Sequence, residues 1–287
     1  MEGLPPERAE IFIELLTTQG MCRNAAMDIF NSWEQTEFRS CLYNLFKYMG
    51  DRIATINFIT QYELLWDAQI LLRPVQETSM KISFLVNCDE QEQQNRLKEY
   101  LHDLDEINSI KRSEIAQRVI SENKENDNTR LAFLPLILDE SVLQSLKEKW
   151  PKKDRAKVEQ KWSYTEMMRE QSIKFEELAN VVLNLAHPYK ISSHLIHADE
   201  TGVGIVAERE SRSDEEKQKI EDYHFCSILR DATSYFLGAG LALAQGLKKE
   251  TKPFLEIVNL VHRTSIKIEE IGKRVYEDPD YDKYRST

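Results

Sequence analysis

The chain has 287 residues but only 9 Gly and 8 Pro, about half the usual share of helix breakers. So few breakers favour long helices with short links and exclude sandwiches and barrels, which turn about every ten residues. The 38 basic and 49 acidic residues leave a net charge of -11, which excludes a broadly basic nucleic-acid coat but not a local basic stripe.

In chain order, the apolar spacing of Ile11, Ile13, Leu15 and Leu16 predicts a helix over 5–19. A second follows over 37–49, with Gly50 as its stop. A very long helix is predicted over 52–87, apolar on several faces and so suited to the centre of a bundle. Pro74 lies inside it and removes one backbone hydrogen bond. Residues 89–121 read as a polar helix with a stripe of Leu97, Leu101, Leu104, Ile107 and Ile110, and 121–131 as a loop. A short helix is expected over 139–149. The run 147–161 carries Lys147, Lys149, Lys152, Lys153, Arg155, Lys157 and Lys161 against Glu148, Asp154 and Glu159. It reads as a solvated connector, with an RNA-binding stripe as the alternative.

Ser163 and Glu166 read as a capping box, followed by a helix over 173–198 bent at Pro188. Residues 200–212, with Gly202 and Gly204, read as a loop. A second capping box, Ser213 and Glu216, opens a long helix ending near Gly246. Thr251 and Pro253 open the last helix, to about 275, and the polar tail 276–287 is expected to be flexible. The sum is an all-α chain, one helical domain over 1–275, built as a bundle of long, mostly antiparallel helices.

Cys22, Cys41, Cys88 and Cys226 are scattered, with no Cys-x-x-Cys pair, and read as reduced thiols of a cytoplasmic protein. No basic stretch with an apolar run opens the chain, so no secretory signal is expected. No run of 18 apolar residues is present, so no membrane association is expected either. No Walker motif or dinucleotide fingerprint is present, and no cofactor is expected.

Three constellations could carry chemistry. On the central helix, Trp66, Ile70, Arg73, Glu77, Met80 and Phe84 share one face, which puts two charges in an apolar stripe. Burying them is costly unless they pair, so they form either a structural ion pair or the lining of an interior site. In the segment from His187 to Asp199, Tyr189, Ser193 and His197 stand four residues apart and form one polar row. It reads as a hydrogen-bonded core row, or as a site with His197 as general acid or base. A Ser193–His197 nucleophile pair lacks a visible orienting carboxylate. A metal site from His194, His197 and Asp199, with Glu77 as a further ligand, is a third option. Arg230 and Asp231 interrupt a later apolar helix, where Gly238 and Gly240 favour close helix packing over phosphate binding.

Two stretches, AQILLRPVQETSMKISFLVN with Arg73 and Glu77, and KWSYTEMMREQSIKFEELANVVLNLAHPYKISSHLIHAD with Tyr189, Ser193 and His197, carry a resemblance that spans roughly residues 52–200. This pattern resembles the bacterial domain-of-unknown-function family numbered 5677, whose members look all-helical with an Arg-x-x-x-Glu helix and a later Tyr/Ser/His helix. Pro74 departs from the small residue expected there. More distantly it is similar to the HEPN superfamily of helical bundles in toxin and phage-defence systems, whose active members cleave RNA without metal as dimers. Those carry Arg shortly before His on one helix, whereas here Lys190 is the nearest base before His197. The resemblance implies an effector or interaction protein of a bacterial stress or defence system, with a protein partner or a homodimer. It leaves as alternatives a metal-independent ribonuclease, with Arg73 holding phosphate and Glu77 orienting it, and a metal-dependent hydrolase.

Overall fold

Proline and the capping residues set most of the helix starts. In the computed structural model, which describes residues 4–123, 126–174 and 179–276, every regular element is helical. Pro6 opens α1 (Pro6–Asn31), where its fixed φ suits the first turn and its missing N–H costs nothing. Thr36 caps α2 (Glu37–Thr60) by accepting the Arg39 N–H at 3.1 Å.

The chain breaks at a different place from the one expected. Gly50 does not stop α2. It stays helical and lies over the Phe236 ring, where an added Cβ would sit 3.8 Å away. The turn comes instead at Gln61–Leu64, and the single helix expected over 52–87 is two, α2 and α3 (Leu65–Val86). Glu63 takes a left-handed φ of 59° there, and buried Arg8 grips it, donating to Glu63 at 2.8 Å and to Asp222 at 2.5 Å. A distant ion pair thus stabilises a turn that no local glycine or proline announces.

The expected single domain over 1–275 meets a described chain that divides into two compact units, residues 1–87 with 171–287, and 88–170. The second unit holds α4 (Glu90–Lys98) and α5 (Leu104–Glu122), made continuous by a π-helical turn at Glu99–Asp103. It continues through α6 (Asp127–Phe133), α7 (Glu140–Lys149), α8 (Lys152–Lys161) and the start of α9 (Tyr164–Lys174). Its core is Leu97, Ile107, Ile110, Leu143, Trp162 and Met167, and buried Arg96 is clamped by Glu92 and Glu170 at 2.8 and 2.6 Å. The loop expected over 121–131 is shorter than predicted, because Asn126 caps α6 through the Thr129 N–H. The connector expected over 147–161 is itself helical, α7 and α8 meeting at Trp150–Pro151.

The first unit holds α1, α2 and α3, then α10 (Ala179–His197), α11 (Glu200–Glu210), α12 (Asp214–Gly246) and α13 (Lys252–Tyr276). Residues 175–178 and most of the expected tail, from 277, lie outside the described residues. α12 is the central helix, opened by the Ser213–Glu216 capping box, and buries Phe225, Leu229, Phe236, Leu243 and several alanines. Each such apolar side chain contributes about 1.5–3 kcal/mol on burial. Gly240 lets α13 approach, since a Cβ there would meet the Phe254 ring at 2.4 Å; Gly238 has open space beside it.

α1 and α2 run antiparallel, since Arg8, Gln19 and Phe30 meet Glu63, Asn57 and Arg39 in falling order, and so do α12 and α13, with Gly240 beside Phe254 and Gly272 beside Tyr223. α12 runs parallel to α1, because Arg8, Gln19 and Cys22 reach Asp222, Thr233 and Phe236 in rising order. It also runs parallel to α3, through Gln69–His224 and Gln76–Tyr235.

The loop expected over 200–212 is α11. Asp199 caps it through the Gly202 N–H at 3.0 Å, and Gly202 marks a close approach, not a turn. A Cβ at Gly202 would lie 2.4 Å from the His194 carbonyl oxygen. No helix among the described residues is long and apolar enough to cross a membrane.

Candidate functional site: the face of α3 under α10

The two polar rows meet. α3 turns Trp66, Gln69, Arg73 and Glu77 toward one side, and α10 crosses them antiparallel with Tyr189, Ser192 and Ser193. Arg73 Nε donates to Glu77 Oε1 at 3.0 Å and an Arg73 terminal nitrogen lies 3.4 Å from Ser193 Oγ. The Tyr189 hydroxyl donates to the same Glu77 oxygen at 3.2 Å, and its ring lies 5.2 Å from the guanidinium carbon. Glu77 therefore orients both partners, while the Arg73 side chain stays 23% exposed. A guanidinium has five N–H donors, so this arrangement leaves terminal donors uncommitted at a partly open surface.

The electrostatics follow from this geometry. Burial works against the Arg73 cation, but the Glu77 carboxylate outweighs it and holds the guanidinium above its ordinary value. Burial, and then the Glu77 charge, raise the Tyr189 phenol, which remains a neutral donor at physiological pH.

His197 does not join this cluster. It is exposed at the end of α10, and no hydrogen bond among the described residues ties it to Arg73, Glu77, Tyr189 or Ser193. Nor do the three expected metal ligands converge. His194 Nδ1 lies 2.7 Å from Asp199 Oδ2, and the Asp199 carboxylate is occupied as the cap of α11. Among the described residues no group of three His, Cys, Asp or Glu side chains is placed to hold a metal ion. Arg230 and Asp231, the third constellation, bond to each other at 2.9 Å, and burial raises the Asp231 carboxyl against that cation.

Beside the cluster runs a buried hydrogen-bond chain that sequence reasoning missed. Arg209 of α11 lies 4.0 Å over the Trp66 ring and donates to His224 Nδ1 at 2.7 Å. That bond fixes the proton on His224 Nε2, which faces Gln69 Oε1 at 3.3 Å. Gln69 Nε2 donates to Ser192 Oγ at 3.1 Å, and the Ser192 hydroxyl reaches the Gln69 and Pro188 carbonyls at 2.8 and 3.0 Å. Burial, helped by the Arg209 charge, lowers His224 to about 3, and burial lowers Arg209 to about 10, so the pair is neutral imidazole and cation at pH 7. The available signal was Gln69 on the Trp66–Arg73 stripe, one turn from Arg73.

The basic run 147–161 is largely neutralised within its own unit. Lys147 pairs with Glu114, Lys149 with Glu106, Lys157 with Asp154 and Lys161 with Glu99. Trp150 and Trp162 add indole bonds to Glu106 and Glu99. No family model matches this chain, and no curated protein and no solved structure matches it.

Proposed function

We propose that this protein is a helical binding module without chemistry of its own, which engages an acidic group of a protein partner through Arg73. The observation that carries the reading is the posture of Arg73. Glu77 fixes it through Nε and Tyr189 supports its plane, so its remaining donors are pre-oriented for a carboxylate or phosphate. Its role in this reading is that of an effector or interaction component of a bacterial stress or phage-defence system, an expectation drawn from the resemblance of its Arg73/Glu77 and Tyr189/Ser193/His197 rows to the domain-of-unknown-function family numbered 5677. Its four free thiols fit the cytoplasm.

A second reading, a HEPN-like metal-independent ribonuclease, draws on one observation: His197 is exposed four residues beyond Ser193 and able to reach a substrate. Against it stand the absence, among the described residues, of any hydrogen bond from His197 to the cluster, and the ion pairs that occupy the basic run. An RNA cleavage assay in chelator separates the two. The binding reading predicts no cleavage above background. Cleavage by the wild type that disappears in His197→Ala replaces it with the ribonuclease reading.

A further inference from the structure

A second site lies elsewhere in the same unit, between α1 and α2 and floored by α12, and does not depend on the Arg73 reading. It is a cleft of about 300 Å3. Leu16, Met27 and Phe46 supply apolar wall, and Phe236 closes the floor, stacked on Phe46 at 4.5 Å. Glycines make the room. A Cβ at Gly20 would meet nothing within 4 Å, and Gly50 exposes the Phe236 ring edge.

The polar groups of the cleft are few and specific. Gln19 and Asn57 are buried there and bond to each other at 2.6 Å, and Gln19 also donates to Thr233 at 2.8 Å. At the mouth Lys47 is tied to Asp51 at 2.9 Å. Arg23 also lines the mouth, where its charge acts on Asp51 without a hydrogen bond or close ion pair among the described residues. With Arg23 and Lys47 against Asp51, the mouth of this apolar cleft is net positive on a chain of net charge -11, which favours a negative ligand group.

We infer that this cleft binds a small amphipathic anion, an aromatic body of two or three rings carrying a single carboxylate, sulfonate or phosphate. The ring system lies between the α1 and α2 walls against Phe236, and the anionic group meets Arg23. The volume sits at the lower end of small-molecule sites, and an apolar lining with a few placed polar groups is their usual make-up.

The probes are 1-anilinonaphthalene-8-sulfonate, which has this form, and N-phenyl-1-naphthylamine, which lacks the sulfonate. The folded wild type, with its near-ultraviolet spectrum intact, is expected to bind the sulfonate saturably and the neutral amine more weakly. Gly20→Phe fills the cleft and is expected to abolish both. Ala54→Phe does the same from the α2 wall and answers the question where Gly20→Phe fails to fold. Arg23→Gln is expected to weaken the sulfonate about tenfold and leave the amine unchanged. No saturable binding by the wild type, binding unaltered by the filling variants, or equal loss of both dyes in Arg23→Gln would overturn the proposal.

Discussion

Single residues carry the strain and the polarity of this molecule. Ala198 ends α10 with φ 46°, a left-handed conformation that costs a residue with a Cβ about 1 kcal/mol and costs glycine little. It is exposed, so Ala198→Gly is expected to stabilise the fold by about 1 kcal/mol and raise Tm by about 2 °C in thermal unfolding. An unchanged or lower Tm would mean that something other than strain sets this helix end. The same scale shows what could be read before the structure. Arg73, Glu77, Tyr189 and Ser193 were legible because each row follows helical spacing within one stretch of chain. Arg209 and His224 were not, because their significance lies in partners 143 and 155 residues away on α3, Trp66 and Gln69, and no local pattern encodes such a pairing.

At the scale of elements, glycine marked helix interiors more often than ends, and at Gly202 and Gly240 a close approach. Gly50, Gly202, Gly204 and Gly240 all lie inside helices. Reading Gly50 as a stop and 200–212 as a loop assigned them to turns, when the deciding fact was what lies opposite. Gly202 and Gly204 make a paired test within one helix. Gly202→Ala drives a Cβ against backbone that cannot yield and is expected to destabilise by about 2 kcal/mol. Gly204→Ala meets open space and is expected to stabilise by about 1 kcal/mol through helix propensity. Denaturant midpoints of the two variants should move in opposite directions. Movement in the same direction would detach α11 from the packing described. The helix caps, by contrast, were legible, because Ser213 and Glu216 are three residues apart and complete their bonds locally.

For the whole molecule, the legible part was the class, an all-α bundle, since scarce breakers and long apolar stripes act everywhere at once. The parallel course of α12 beside α1 and α3 was not legible, because it depends on which distant helices share a core. The division into two compact units was hidden for the same reason. One buried group makes the folded state sensitive to acid. His224 is neutral when folded down to about pH 3, whereas the unfolded chain protonates it near pH 6.5. As pH falls through that window the unfolded state binds a proton that the folded state refuses. This group therefore removes about 1.4 kcal/mol of stability per pH unit. Unfolding free energies at pH 7 and pH 5 should show a smaller acid loss in His224→Gln than in the wild type, by about 2 kcal/mol. Identical losses would mean that His224 is solvated.

The binding reading rests on a guanidinium that is held in place and still has donors to offer. Its most direct test follows the Arg73 side-chain Nε–H resonance by NMR while inorganic phosphate is added. A saturable shift in the wild type, kept in His197→Ala, is the predicted result. A resonance that does not move through the titration, or a shift that requires His197, would contradict the account.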